Sequence, residues 1–310
     1  MDFKQLRAFL TVAETGNVTR AAEVLHLVQP AVSRQIQLLE QDIGVPLFVR
    51  ERHGMVITDA GRSLMTHARR ALLELDRARA EISGASAGIA GLVTLGLLPS
   101  TIEMLSGPLV SALAARYPGI RVRIAMGYAG TILGWLRSGE IDAGLLYGAE
   151  RAPQVRTQPL IEEPLWVIGP KAAGLSRDEP MPLAELVGQP LVLPSAPHGI
   201  RALVDHACAV SKLSLTVAAE TNALSVQRSL VLGGHGLTIL PPIAVADDLR
   251  AGQLSGAPLS EPAISRSIVL ALPADRATAA HVRCAVDLLV DGARDAVKGG
   301  TWLEGRWLGA

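Results

Sequence analysis

Between Gln29 and Gln37 the sequence places polar side chains that match the hydrogen-bonding groups of nucleic-acid bases. Ser33, Arg34 and Gln37 share one side at helical spacing, and Arg and Gln make paired hydrogen bonds with guanine and adenine in the major groove. Gln29 and Pro30 open the same segment, where backbone N–H groups at a helix start can hold a phosphate. The chemistry predicted for this face is recognition of double-stranded DNA.

Two further arginines, Arg50 and Arg52, fall in a predicted β-hairpin from Leu47 to Ile57. From there the guanidinium groups would clamp the DNA backbone or the minor groove. Residues 1–84 carry eleven Arg or Lys against ten Asp or Glu, so this segment is almost neutral. For each arginine taken alone, the better interpretation is therefore a solvated surface charge. Only their predicted placement with Arg34 on one surface favours a role in DNA binding.

A second group of residues suits a small ligand, because each member follows a predicted strand of an α/β sheet. Ligands bind beyond the carboxyl ends of such strands. Hydroxyl groups near a helix start suit a carboxylate, and an arginine can pair with an anion through two hydrogen bonds. The predicted ligand set is Ser100, Thr101, Gly127, Tyr128, Thr131, His198 and Arg201. We therefore expect a small-molecule site, with a small anion as the ligand.

These residues also have purely structural interpretations. Ser100 and Thr101 could do no more than cap a helix, and His198 could be an ordinary loop residue. Arg201 could pair with Asp205 one helical turn away. The sequence leaves these alternatives open.

The polar face that begins at Gln29 needs helices to position it, and the N-terminal apolar spacing supplies them. One helix is predicted from Phe3 to Thr15, and a second, capped by Thr19, from Arg20 to Leu25. The third begins at Gln29-Pro30, since proline is well tolerated in a first turn. Its buried stripe would be Val32, Ile36, Leu39 and Ile43. With the hairpin, whose turn is His53-Gly54, these elements predict a winged helix-turn-helix.

A long helix capped by Thr58-Asp59 is predicted to run to about Gly84. Its apolar residues repeat at spacings of 4, 3, 4, 3 and 4, which is typical of a two-stranded coiled coil. They are Leu64, Ala68, Ala71, Leu75, Ala78 and Ile82. Such a helix needs a partner, here a second copy of the chain, and the alternative is packing on its own body. Ser83 to Gly91, rich in Gly, Ala and Ser, would be a hinge.

From Leu92 onward strand and helix patterns alternate, which predicts parallel sheets with helices on their faces. The predicted strands are 92–97, 120–126, 143–146, 165–169, 191–193, 216–220, 238–240 and 267–271. The predicted helices are 108–117, 131–138, 199–211, 223–232 and 278–296. Leu97-Leu98-Pro99-Ser100 and Val192-Leu193-Pro194-Ser195 begin alike and indicate two similar lobes.

Composition excludes several classes of protein. The 310 residues exceed one ordinary domain, and the formal net charge is zero. Cys208 and Cys284 stand 76 residues apart without metal spacing, so neither a disulfide framework nor a metal site is expected. No signal peptide or bilayer-length apolar run is visible, which predicts a cytoplasmic protein without membrane contact. No cofactor motif or nucleophile motif is present, so we expect no cofactor, no catalytic residue and no enzyme. The alternative is an enzyme or solute-binding protein that uses the two-lobed cleft.

Two sets of motifs together resemble one known family. The N-terminal set is 17–25, 29–36, 38–40, 44–50 and 58–61, and the second set is 117–118, 136–144, 163–165 and 234–241. On these motifs the sequence resembles the LysR-type transcriptional regulators over nearly its whole length. Leu145-Leu146-Tyr147-Gly148 and Gln158-Pro159-Leu160 are similar to the nitrogen-assimilation-control branch of the family.

The resemblance implies an α/β fold in which a winged helix-turn-helix and a long linker helix precede a two-lobed, periplasmic-binding-protein-like effector domain. The expected boundaries are 1–58 for the DNA-binding domain, 59–89 for the linker and dimerisation helix with its hinge, and 90–310 for the effector domain, with lobes 90–160 plus 266–310 and 161–265. A homodimer or homotetramer would bind an interrupted palindrome. An effector in the cleft would then change DNA bending and contact with RNA polymerase. The tail with Trp302 and Trp307 would pack on the neighbouring lobe.

Overall fold

The computed structural model describes residues 1–51, 54–84, 89–148, 154–274 and 277–309. Arg52 and His53, predicted to clamp DNA and to form the hairpin turn, lie outside the described residues. The chain divides into two compact units, Met1–Leu92 with Arg137–Glu140, and Val93–Leu136 with Ile141–Ala310. No helix among the described residues has the length and apolar character needed to cross a membrane.

The first unit contains the predicted winged helix-turn-helix. Its elements are α1 (Phe3–Thr15), α2 (Val18–Val24), α3 (Gln29–Ile43), β1 (Phe48–Glu51), β2 (Gly54–Ile57) and α4 (Asp59–Gly84). Asn17, not the predicted Thr19, caps α2, because its side-chain oxygen accepts the N–H groups of Thr19 and Arg20. The second helix therefore begins two residues earlier than expected.

The core of this unit fixes the rotation of α3 about its axis. Val32, Ile36 and Leu39 are buried, as predicted, and pack with the α1 residue Phe9. Ile43 is 37% exposed, so its prediction as a buried residue was wrong. The helix ends there, because Gly44 takes the left-handed conformation that commonly stops a helix.

The hairpin is held against the helices by backbone contacts. The Met55 N–H donates to the Gly16 carbonyl oxygen at 2.8 Å. A Cβ on Gly54 would lie 2.3 Å from that oxygen, and its φ is +138°. Only glycine fits this close approach. At the other end, the Glu40 carboxylate of α3 accepts the backbone N–H groups of Leu47 and Phe48 at 2.7 and 3.2 Å.

The long helix α4 divides its predicted seam between two environments. Thr58 caps it as predicted, since its hydroxyl oxygen accepts the Gly61 N–H at 3.0 Å. Leu64 and Ala68 pack on the core of the first unit. For these two residues the structure shows the alternative, in which the helix packs on its own chain. Ala71 and Ala78 are exposed. The seam is thus open to a partner helix at Ala71 and Ala78, whereas Leu75 is half-buried and the side chain of Ile82 lies outside the described residues.

In the second unit the first lobe is built on a six-stranded sheet with strand order β14-β6-β13-β5-β3-β4. Its strands are β3 (Gly91–Leu97), β4 (Ile120–Met126), β5 (Ala143–Tyr147), β6 (Val155–Pro164), β13 (Ser265–Pro273) and β14 (Arg306–Trp307). Its helices are α5 (Ile102–Arg116), α6 (Ala129–Ser138) and α10 (Ala280–Lys298). One apolar core contains residues from these strands and helices.

The second lobe has a four-stranded sheet, order β11-β7-β12-β8, and a parallel pair, β9 with β10. A bridge between Leu191 and Leu237 joins the pair to the sheet. The strands are β7 (Trp166–Pro170), β8 (Met181–Pro182), β9 (Pro190–Leu193), β10 (Thr216–Glu220), β11 (Thr238–Leu240) and β12 (Leu254–Ser260). The helices are α7 (Gly199–Ser211), α8 (Leu224–Leu232) and α9 (Ala246–Arg250), with short 3-10 helices at Lys171–Ala173, Leu183–Leu186 and Pro242–Val245.

The prediction of parallel sheets was confirmed only in part, because both lobes have mixed strand directions. In the second lobe β9 with β10 and β8 with β12 are parallel pairs. Strands β3 and β5 are parallel, but β13 runs antiparallel to β5 and β6, and β7 runs antiparallel to β11 and β12. The unpredicted strands are β6, β8, β12 and β14. Strand β6 was not predicted because it contains prolines, which are rare inside strands. Pro159 lies at a register irregularity, where a strand tolerates a residue without an N–H. Helix α5 begins at Ile102 and contains Pro108, which the sequence had suggested as its start.

The C-terminal tail belongs to the first lobe. Trp302 is 1% exposed and lies in that lobe's core, and Trp307 in β14 pairs with Ile161 of β6. The sequence placed 161–265 in the neighbouring lobe, and the tail does contact Ile161 and Glu163 of that range, but β6, which carries both residues, belongs to the first lobe's sheet. The tail adds an edge strand to the six-stranded sheet and helps to build the wall next to the cleft.

Candidate functional site

The first candidate surface is the outer face of α3. Gln29, Pro30, Arg34 and Gln37 are exposed, and Ser33 is half-buried. The Gln29 Nε2 donates to the Ser33 hydroxyl at 2.9 Å, so these two side chains form one polar unit at the helix start. The structure brings all five predicted residues of this helix to one outward surface.

The acidic residues of α3 are committed to other partners. Glu40 holds the backbone at the start of the hairpin, and Asp42 pairs with the N-terminal ammonium of Met1. Arg50 is exposed on β1, two residues after the buried Phe48. Arg34 and Arg50 are thus both exposed, although the charge total of residues 1–84 is near neutral.

The second candidate surface is an open pocket between the two lobes of the second unit, with about 310 Å³ of empty space that includes the part open to solvent. Its walls are mostly apolar, with a few convergent polar groups, the usual composition of a small-molecule site. The first lobe contributes Pro99, Ser100, Tyr128, Tyr147 and Arg266. The second lobe contributes Pro194, His198, Ile200, Asn222, Leu224, Gln227, Leu240, Pro241 and Ala244.

A buried ion pair forms one wall of this cavity. The side chains of Arg266 and Glu163 are 3% and 0% exposed, and their N···O distance is 2.5 Å. The second oxygen of Glu163 accepts the Trp302 indole N–H at 2.9 Å. Burial alone would lower the pKa of Arg266, but the charge of Glu163 holds that pKa above its ordinary value. The arginine therefore stays charged inside the protein.

Arg266 also organises the hydroxyl groups of the first lobe. Its Nη2 donates to the Ser100 hydroxyl at 3.0 Å, and its guanidinium carbon lies 3.9 Å from the centroid of the Tyr147 ring. The Ser100 and Tyr147 hydroxyl oxygens are 3.0 Å apart. A cation, its stacked aromatic ring and two hydroxyl groups thus converge on the same part of the cavity.

Across the cleft, His198 meets Tyr128 edge to face, with ring centroids 5.1 Å apart. The Nδ1 of His198 accepts the Ile200 N–H at 3.2 Å, so the neutral ring carries its proton on Nε2. Burial, and then the charge of Arg266, lowers the pKa of His198 to about 4. The imidazole is therefore neutral at pH 7. Burial also raises the pKa of Tyr128.

The structure separates the predicted ligand residues into two groups. Ser100, Tyr128 and His198 line the cavity. Thr101 is fully buried and its hydroxyl donates to the Leu98 carbonyl at 3.2 Å, so it serves the loop before α5. Gly127 supports the wall, since a Cβ there would lie 2.8 Å from the Trp135 ring. Thr131 is exposed on α6, outside the cavity lining.

Arg201 requires a correction. Its guanidinium donates to Asp205 at 2.8 and 3.0 Å and to Glu220 at 2.6 Å, and it lies outside the cavity lining. Two carboxylates already neutralise the charge that the sequence assigned to a ligand. The alternative pairing with Asp205 is the one that the structure shows, with Glu220 as a second partner.

Sequence reasoning missed Arg266, Glu163, Tyr147, Asn222 and Gln227. One signal was available: Arg266 is a single charge at the start of the apolar strand predicted from 267. Gln227 gave no such signal, although it is buried and its Nε2 donates to Thr238 Oγ1 at 2.5 Å. Among the described residues no group of three or more His, Cys, Asp or Glu could hold a metal ion.

Comparisons with known proteins agree on one family for both units. Residues 3–62 match "Bacterial regulatory helix-turn-helix protein, lysR family", and residues 86–294 match "LysR substrate binding domain". The nitrogen assimilation regulatory protein nac of Escherichia coli (strain K12) is 29% identical over 294 residues, 94% of each chain. This relative matches the branch that the sequence motifs resemble.

Two further comparisons extend over almost the whole chain. The HTH-type transcriptional regulator BbuR of Bordetella bronchiseptica is 28% identical over 302 residues, covering 97% of this chain and 93% of that one. The solved structure of a full-length OxyR variant from Pseudomonas aeruginosa has a TM-score of 0.67 at 25% identity and covers 95% of each chain.

Removing the cation of the buried pair should destabilise the second unit. Arg266→Met leaves the Glu163 carboxylate buried without its partner, and we expect a loss of about 3–5 kcal/mol in the free energy of unfolding. Adding Glu163→Gln, which keeps an acceptor for Trp302, should recover most of that loss. Urea unfolding followed by tryptophan fluorescence measures both, since all four tryptophans lie in this unit. A loss under about 1 kcal/mol in the single variant would contradict the role of the pair.

The neutral state of His198 predicts a pH dependence of stability. As pH falls from 6.5 to about 4, the unfolded chain takes up a proton on this residue and the folded chain does not. Wild type should therefore lose stability over that window relative to His198→Gln, by roughly 1–2 kcal/mol after solvent screening. Unfolding curves at several pH values measure the difference, and a folded-state titration midpoint near 6.5 in NMR would contradict it.

Proposed function

The chain belongs to the LysR family of bacterial transcriptional regulators, and from that premise we propose that α3 is the element that reads DNA sequence. The family places the protein among regulators and not among enzymes. Ser33, Arg34 and Gln37 would contact base edges, while Gln29 and Pro30 would hold a phosphate. Arg50, and Arg52 beside it in the sequence, would contact the backbone from the hairpin.

The observation that supports this assignment is the division of α3 into two faces. Its apolar stripe is buried against α1, whereas its polar side chains point outward and Gln29 bonds to Ser33 on the same face. A major groove admits one helix and offers donors and acceptors that match these side chains. The proposed DNA-binding domain is residues 1–58.

We propose that the protein works as a homodimer, and as a homotetramer formed from two dimers, on an interrupted palindrome. Residues 59–89 would form the linker and dimerisation region. The helix α4 has 26 residues, about 39 Å at 1.5 Å per residue. The outer half of its seam, with Ala71 and Ala78 exposed, supports pairing with a second copy.

We propose that residues 90–310 bind a small-molecule effector in the cavity between the two lobes. The sequence divided these lobes as 90–160 plus 266–310 and 161–265, and the extent of β6 and β13 moves the first boundary to 164 and the second to 265. Arg266, which replaces Arg201 in this role, supports a small anion as the effector. Hydroxyl groups of Ser100 and Tyr128 and the Nε2–H of His198 supply further donors. Glu163 shares the charge of Arg266 and His198 is neutral at pH 7, so His198 would contribute a hydrogen bond and not a charge to an anion.

We propose that effector binding closes the cleft and changes the angle between the paired α4 helices. The altered DNA bend would then change contact with RNA polymerase, and the protein would act in the cytoplasm where both are present. A two-lobed domain supports this mechanism because ligand contacts with both lobes favour the closed arrangement over the open one.

Two arginine variants test which residues contact base edges and which contact the DNA backbone. Arg34→Ala should weaken binding to a selected duplex by about 1–3 kcal/mol and relax the preference at one base position. Arg50→Ala should weaken selected and random duplexes equally and reduce the salt dependence by about one phosphate contact. Gel-shift titrations at several salt concentrations separate these results, and unchanged affinity in Arg34→Ala would contradict the reading role.

A pair of hydroxyl variants tests the cavity. Ser100→Ala should lower the affinity of an anionic effector by about tenfold, because a hydrogen bond to a charged group contributes about 1.5 kcal/mol. Thr131→Ala, outside the cavity, should leave it unchanged. Thermal unfolding with small carboxylates and amino acids finds the effector, and titration calorimetry compares the variants. An equal loss of effector affinity in both variants would contradict the assignment of the cavity as the effector site.

A further inference from the structure

The residue at the start of α3 is unusual among the helix starts of the first unit. Asp2, Asn17 and Thr58 each cap a helix there with a side-chain oxygen. Val28, at the start of α3, has no side-chain hydrogen bond and is 69% exposed. The helix proposed to read DNA is therefore the one with an apolar residue where its neighbours have a polar cap.

In the absence of DNA, a valine at position 28 is unfavourable for the stability of the protein in two ways. A valine at the N-cap offers the first turn of α3 no side-chain acceptor, and the Ala31 N–H donates to the Val28 carbonyl oxygen at 2.9 Å instead. Its methyl groups also remain in water, so their burial contributes nothing to the core of the unit. A serine at the same position would cap the helix and expose less apolar surface. The fold of the free chain thus gives no reason for valine at position 28.

The position of Val28 identifies the surface that would cover it. It directly precedes Gln29 and Pro30, so it continues the polar face proposed to meet DNA. Residues at the N-terminal end of a reading helix are the ones that reach base edges in the major groove. The apolar group exposed on the floor of that groove is the C5-methyl of thymine.

We infer that Val28 contacts the 5-methyl group of a thymine and sets the base preference at one position in each half-site. This inference rests on the proposed function of α3, and it adds an apolar reader to the polar ones. Leu27, 49% exposed, extends the apolar surface by one residue on the side away from Gln29. The polar side chains of Gln29 and Arg34 beside it fit a nucleic-acid groove better than an apolar protein surface.

The test removes the same methyl group from either side of the contact. A preferred duplex is first selected from a random pool with the full-length protein, and each thymine is then replaced singly by deoxyuridine, which lacks only the methyl. Wild type should lose about fourfold in affinity at one position per half-site, which is ~0.8 kcal/mol per buried methyl group converted at 1.4 kcal/mol per tenfold. Val28→Ser should show no loss at that position.

A matched control is available at the other end of the same helix. Val45 follows α3, is 42% exposed, and is separated from Val28 by the whole helix, which is about 22 Å long. Val45→Ser should keep the wild-type sensitivity to deoxyuridine. Val28→Ser should fold at least as stably as wild type, because serine supplies the missing cap.

Three results would overturn the inference, and they are distinguishable. If no thymine replacement weakens wild-type binding, Val28 reads no methyl group. If Val28→Ser keeps the wild-type sensitivity, another residue makes the contact. If selection yields no preferred duplex, the proposed function of α3 fails and this inference fails with it.

Discussion

The carboxylate of Glu163 is the interaction on which the wall of the cleft depends. It is fully buried, and it binds Arg266 through one oxygen and the Trp302 indole through the other. An ion of this kind is stable inside a protein only when its partners are in place together. Strand β6, strand β13 and the C-terminal tail must therefore assemble around it. The polar part of the cavity, from Arg266 to the Ser100 hydroxyl, follows from that assembly.

A different constraint governs the first unit, where burial of apolar side chains sets the direction of polar ones. Val32, Ile36 and Leu39 turn one face of α3 inward, and this leaves Arg34 and Gln37 outward. The outer face of α3 therefore depends on the burial of apolar side chains, whereas the cavity depends on a buried ion pair. The reading face needs only an amphipathic helix, whereas the cavity needs contacts between segments far apart in the chain.

This difference explains which features the sequence predicted. Local signals such as the helical spacing from Phe3 and the proline after Gln29 predicted the N-terminal elements, because each depends on neighbours within a few residues. Arg266 and Glu163 are 103 residues apart, and no local pattern joins them. Arg201 of α7 was assigned to a ligand because its partner Glu220, at the end of β10, could not be inferred from the sequence. Antiparallel strands such as β6 were missed for the same reason, since alternation of strands and helices does not fix strand direction.

The central claim is that a paired molecule presents α3 twice to one duplex. Sedimentation velocity of the full-length protein with a selected duplex tests it most directly, with random duplex added as competitor. The account predicts complexes that contain two or four chains per duplex and that persist in an excess of random competitor at moderate salt. A single chain per duplex, or displacement by random and selected competitor at equal concentrations, would contradict it.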